Sequence, residues 1–103
     1  MTAREFFESL PGRPDPERLR GVRNTYFFDV AGAGRWLVAV DDGTVTVEES
    51  PESPNADVSF ALSSETFEKL VDKRQNPMLA YATGKLKISG DIRVAMELQN
   101  LLP

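Results

Sequence analysis

Neither histidine nor cysteine occurs in the 103 residues of this chain. The missing cysteine excludes disulfides, thiol nucleophiles and thiolate metal sites, and leaves the redox compartment open. The missing histidine removes the usual base of catalytic triads and the commonest transition-metal ligand. No metal site, cofactor or catalytic set is therefore expected. Basic charge is also scarce: 12 Lys and Arg stand against 16 Asp and Glu, a net charge of −4. No whole-domain basic field exists to draw in nucleic acid. Long apolar runs are absent, since none approaches the roughly 20 residues a membrane-spanning helix needs. Met1 to Leu10 carries charges inside its apolar pattern, unlike a signal peptide, and Leu101-Leu102-Pro103 is not a peroxisomal address. A cytoplasmic location is the default expectation. What is present, 41% hydrophobic and 27% charged residues, is ordinary for a globular chain. The length predicts one domain over 1–103 with one core.

The order of local signals is readable from the N-terminus. Thr2-Ala-Arg-Glu5 is a capping box, and Phe6, Phe7 and Leu10 follow at helical spacing until Pro11-Gly12 ends the helix. Asp15-Pro16 caps a short helix able to bury Leu19 and Val22. From Thr25 the period becomes two. Tyr26, Phe28 and Val30 share one face of a first strand, and Trp36, Val38 and Val40 one face of a second. Asp42-Gly43 is a strong hairpin signal because both central residues of a type I′ turn need positive φ. Val45 and Val47 mark a third strand. After a polar loop over 48–55, Val58, Phe60 and Leu62 mark a fourth, read as continuing the meander.

Ser63 or Ser64 caps the next helix, with Phe67, Leu70 and Val71 as its stripe. Asn76-Pro77 starts another through Met78, Leu79, Tyr81 and Ala82, closed by Gly84 in the C′ position. Leu86 and Ile88 form a fifth strand. Gly90-Asp91 then starts a last helix with Ile92, Ala95, Met96, Gln99 and Leu102 on one side, widened by Leu98 and Leu101. Each element has one apolar face, so an α+β domain with a mainly antiparallel sheet and helices on one face fits the order.

Candidate chemistry fails on geometry. Asp41-Asp42 cannot converge as a general acid–base pair, because consecutive strand residues point to opposite faces. Gly84 to Gly90 has five residues between its glycines and Asp91 where a phosphate loop needs lysine. Gly32-x-Gly34 precedes a strand and lacks the third glycine of a dinucleotide fingerprint. Lys73, Arg74, Lys85 and Lys87 form a solvated face or a basic rim for anionic membrane surfaces. Periodicity alone reads the large apolar residues as core, and cannot separate a filled core from a hollow one.

The stretch Ala80-Tyr-Ala-Thr-Gly-Lys-Leu-Lys-Ile-Ser-Gly-Asp91 resembles the sterol carrier protein type-two-like domain family. Asn76-Pro77, Ala80, Gly84-Lys85-Leu86, Gly90-Asp91, Ala95 and Leu98 match its pattern in order and spacing. Upstream, Tyr26 to Val30, Trp36, Asp42-Gly43 and Ala56-Asp57 are similar to its first hairpins and fourth-strand entry. The resemblance implies a five-stranded, mostly antiparallel sheet covered on one side by helices, enclosing a hydrophobic tunnel for sterols, fatty acids or their thioesters. The lining, assigned from apolar faces, is Phe28, Trp36, Val38, Phe60, Leu62, Phe67, Leu70, Met78, Tyr81, Ile88, Met96 and Leu102. The expected function is non-catalytic carriage of a lipid or other apolar small molecule, with transient contact with membrane surfaces and an enzyme as further partners. The alternative is a protein-interaction module, for instance in isoprenoid quinone biosynthesis.

Overall fold

Thr2 opens the first helix as the capping box requires. Its hydroxyl accepts from the Glu5 amide at 3.2 Å, and a Glu5 carboxylate oxygen accepts from the Thr2 amide at 3.0 Å. The computed structural model describes residues 1–12, 14–52 and 55–101, with side chains throughout except those of Gln99 and Asn100. Helix α1, Ala3–Ser9, buries Ala3, Phe6 and Phe7 and runs into a 3₁₀ turn, Leu10–Gly12, that buries Leu10. A second 3₁₀ turn, Pro16–Leu19, is capped by Asp15 and buries Leu19.

Five strands follow: β1 Arg23–Ala31, β2 Gly34–Asp41, β3 Thr44–Glu49, β4 Val58–Ser63 and β5 Leu86–Gly90, in the sheet order β3-β2-β1-β4-β5. The first three form an antiparallel meander, and the β2–β3 turn has positive φ at both Asp42 (46°) and Gly43 (95°), as a type I′ hairpin demands. β4 does not continue the meander. It returns to lie parallel to β1, with Phe28 opposite Phe60 and Val30 opposite Leu62. The segment between β3 and β4 is too long for a tight hairpin, so the fourth strand is free to take the open edge of the most apolar strand. Asp57 pins the return: its carboxylate accepts from the Thr25 amide at 2.8 Å, and the Thr25 hydroxyl accepts from the Asp57 amide at 2.9 Å. β5 then pairs antiparallel with β4.

Helices cover one face of the sheet. α2, Ser64–Val71, packs on β1 and β4; α3, Pro77–Ala82, on β5; and α4, Ile92–Met96, on β4 and β5. Each has the side-chain cap its sequence announces, from Ser63, Asn76 and Asp91 respectively. α2 and α3 both end in Schellman geometry. Lys73 takes the left-handed position after α2 (φ 61°) and Gly84 the one after α3 (φ 79°). The corresponding amide bonds run from Arg74 to the Lys69 carbonyl and from Lys85 to the Ala80 carbonyl. On the uncovered face Phe27 is nonetheless 8% exposed, an apolar residue in a row read as solvent-facing. Among the described residues every buried side-chain polar atom has a partner. The Tyr26 hydroxyl, for one, accepts from the Asn24 amide at 3.2 Å, and burial pushes its pKa up.

Candidate functional site

The space between sheet and helices is organised by aromatic rings. Phe28 and Phe60, opposite one another on β1 and β4, stack at 5.1 Å, and Phe67 from α2 meets Phe28 edge-on at 6.3 Å. These three, with Leu62, form the floor and wall of a cavity. Leu70 and Val71 of α2, Pro77 of α3, Leu86 of β5 and Leu98 close it. The lining is wholly apolar, and its volume is ≈ 20 Å³, room for about one water. The tunnel implied by the resemblance is thus nearly closed here, far below the roughly 300 Å³ of ordinary small-molecule sites.

The expected lining divides into five groups. Phe28, Phe60, Leu62, Phe67 and Leu70 meet at this cavity. Trp36 and Val38 are buried elsewhere: Trp36 stacks on Phe7 of α1 at 4.5 Å and 15°, so α1 takes its face. Ile88 is half-buried against the core. Met78, Tyr81 and Met96, expected between the layers, are instead 74%, 49% and 64% exposed. Leu102 lies outside the described residues.

The outward turn of Met78, Tyr81 and Met96 has local causes. α3 is only six residues long, and it is seated through Ala80 and Pro77, three apart on one side. That leaves Met78 and Leu79 facing out. α4 ends at Met96 and passes into a 3₁₀ turn, Glu97–Asn100. α4 seats through half-buried Val94 and Ala95, which leaves Met96, like Ile92, facing out, and beyond it Leu98 packs on the core and Leu101 is buried. Pro77 was legible only as a helix starter, and its place in the cavity wall had no local mark.

The nine side chains lining the cavity carry no titratable group. No group of three or more metal-capable side chains gathers among the described residues, and the exposed carboxylates with shifted pKa values serve helix caps and pairs. Glu5 is held low by the Thr2 backbone amide, and Glu65 by Lys69 at 3.1 Å.

The family model of the SCP-2 sterol transfer family matches residues 7–103. The chain belongs to that family. As an SCP-2 domain it is a lipid-binding domain, and Gly84, Gly90 and Asp91 take the structural places their motif implies. A solved sterol carrier protein domain of Helicoverpa armigera superposes with a TM-score of 0.76 at 28% identity, covering 94% of this chain and 82% of that one. The sec-alkylsulfatase Pisa1 from Pseudomonas sp. shares the fold with a TM-score of 0.86 at 23% identity, over 99% of this chain but 16% of the sulfatase. Hydroxysteroid dehydrogenase-like protein 2 of Danio rerio is 29% identical over 100 residues. The match takes in 95% of this chain and 24% of that relative. SCP-2 domains of this kind therefore also occur within much longer enzyme-named chains.

Proposed function

We propose that this SCP-2 domain binds and carries a long-chain apolar ligand, a sterol, fatty acid or acyl thioester, between sheet and helices, and performs no chemistry on it. The observation that carries the reading is the convergence of nine apolar side chains, from both layers, on one cavity without a polar group. An apolar ligand entering there gains roughly 25 cal/mol per Å² of apolar area removed from water. The cavity must widen first, and its closing pieces suit that: short α3 and the 3₁₀ turn carrying Leu98 have little packing of their own. An unliganded layer that closes to ≈ 20 Å³ avoids the cost of a standing void, about 24 cal/mol per Å³.

Thermal unfolding of delipidated protein tests this. A ligand at 100 times its dissociation constant stabilises by about 2.7 kcal/mol, and each kcal/mol moves the midpoint of a domain this size by about 4–8 °C. Long-chain ligands should therefore raise the midpoint by more than about 10 °C, and a short polar acid should not. Leu98→Phe, filling the space from a half-buried position, should blunt the shift. An unchanged midpoint across sterols, fatty acids, acyl thioesters and quinones would instead support a second reading, an accessory module for an enzyme. That reading draws on the small cavity and on the longer enzyme-named chains that hold similar domains.

A further inference from the structure

The sheet order β3-β2-β1-β4-β5 leaves β3 and β5 outermost. β3 has the 3₁₀ turn Leu10–Gly12 packed on it, and its last residue, Glu49, is tied to Arg4 at 2.7 Å. β5 differs. The Asp91 amide bonds to the Asp57 carbonyl at 2.9 Å, and bonded positions alternate along an antiparallel pair. Ser89 and Lys87 therefore exchange bonds with β4, and Leu86 and Ile88 turn their amides and carbonyls outward, where no other described residue bonds to them. A bare edge of this kind is a template for another strand. Apolar surface gathers beside it. α3 precedes β5, α4 follows it, and both pack against it. Among the described residues these two short helices carry Met78, Leu79, Tyr81, Ile92 and Met96, all the exposed large hydrophobics except Met1. Such side chains scattered singly would need no explanation, but five on two helices flanking one open edge call for a partner.

We propose that two copies of this chain pair through β5 about a two-fold axis, joining their sheets into one of ten strands, five from each. The sequence chooses the register. With Lys87 on the axis, two lysines would stand directly opposite each other, which destabilises a sheet. With Ile88 on the axis, the outward amide and carbonyl of Ile88 bond those of its copy, and Leu86 comes opposite Gly90 of the partner. Lys87 then meets Ser89 of the partner, and Lys85 meets Asp91 of the partner. No lysine faces a lysine. Lys85 to Asp91 is thus self-complementary when reversed, which is what an isologous contact requires. The helices agree with this register. α3 ends where β5 starts, the Lys85 amide bonding to the Ala80 carbonyl, and α4 begins where β5 ends. Antiparallel pairing sets α3 of each copy beside α4 of the other on one side of the joined sheet, so their exposed apolar side chains leave water together. The contact closes on itself and leaves no bare β5 edge. It does not depend on whether the cavity holds a ligand.

Sedimentation velocity over a dilution series should show dimer giving way to monomer. Disulfide trapping reads the pairing itself, since the chain has no cysteine of its own. Lys87 and Ser89 are both exposed. The register sets their Cα atoms about 4.5 Å apart across the axis, inside disulfide range, while like positions lie about 7–8 Å apart, beyond it. Lys87→Cys protein mixed with Ser89→Cys protein should therefore oxidise to the mixed dimer in excess of the random proportion. Lys85→Glu sets like charges opposite each other and should weaken association on the order of tenfold. Met78→Ser with Met96→Ser should weaken it comparably and leave the melting midpoint of the monomer unmoved. Thr44→Cys mixed with Thr46→Cys, at the β3 edge, should not cross-link. The proposal is overturned by a monomer at every concentration, by random proportions of the Lys87 and Ser89 cross-links, or by trapping at the β3 edge instead. It is equally overturned if association is indifferent to both Lys85→Glu and the methionine variant.

Discussion

Gly90→Ala should be among the most damaging single-methyl additions to this domain, and the coordinates say why. Gly90 has φ 109°, and a Cβ built on it would lie 2.6 Å from the Asp57 carbonyl oxygen and 3.0 Å from Val58 Cα. Both neighbours are backbone of the β4 entry, which Thr25 already holds, so no flexible side chain can yield. Backbone strain of this kind costs about 1–3 kcal/mol. Retreat from Asp57 also lengthens the 2.9 Å bond from the Asp91 amide to the Asp57 carbonyl, worth about 0.5–1.5 kcal/mol. The expected loss is about 2–4 kcal/mol, against a total stability of about 5–15 kcal/mol for domains generally. Gly84→Ala is the internal control. Its φ of 79° is also left-handed, but nothing lies within 4 Å of the added Cβ, so only the conformational cost of about 1–2 kcal/mol applies. Urea unfolding of both variants, with unchanged m-values, measures the difference. Equal losses, or a smaller loss for Gly90→Ala, would refute the clash and with it the rigid seating of α4 on the β4 entry.

Phe60→Ala removes the ring stacked on Phe28 and should cost about 3–5 kcal/mol by chemical denaturation. Thr2→Ala deletes the α1 cap and should cost about 1 kcal/mol, read as an earlier urea midpoint. Lys73→Gly relieves a left-handed lysine (φ 61°) and should raise stability by about 1 kcal/mol, read as a later urea midpoint. Glu5 and Glu65 have folded pKa values below the ordinary 4.5, so their stabilising contribution is present above 4.5 and is lost as pH falls through the folded values. The double Glu→Gln variant should show a flatter acid limb when midpoints are followed downward from about pH 6.

Features set by neighbours in sequence were legible. The caps at Thr2, Asp15, Ser63, Asn76 and Asp91, the Asp42-Gly43 turn and the left-handed Gly84 each depend on three or four adjacent residues, and each stands where the pattern put it. The partner of β4 was not legible, because alternation tells which face of a strand is apolar and nothing about which edge it joins. The site was half legible for the same reason. Phe28, Phe60 and Phe67 lie on correctly read faces, yet no face assignment tells whether an inward ring meets a cavity or another helix, and Trp36 meets Phe7. Met78 and Met96 show a different limit. A helix of five or six residues is too short for periodicity to choose its buried side.

The parallel pairing of β1 with β4 also shapes how the chain must fold as it emerges from a ribosome. β1, β2 and β3 can close as hairpins from local contacts, but the second edge of β1 waits for residues about thirty positions further on, the separation of Thr25 from Asp57 being 32. Until then that edge offers a row of unpaired amides and carbonyls beside Tyr26, Phe27 and Phe28, the condition under which strands recruit foreign partners. Closing so distant a contact is slow relative to hairpin formation. Asp57, the residue just before β4, arrives with that strand, and its bond from the Thr25 amide gives a fixed point from which the ladder can zip.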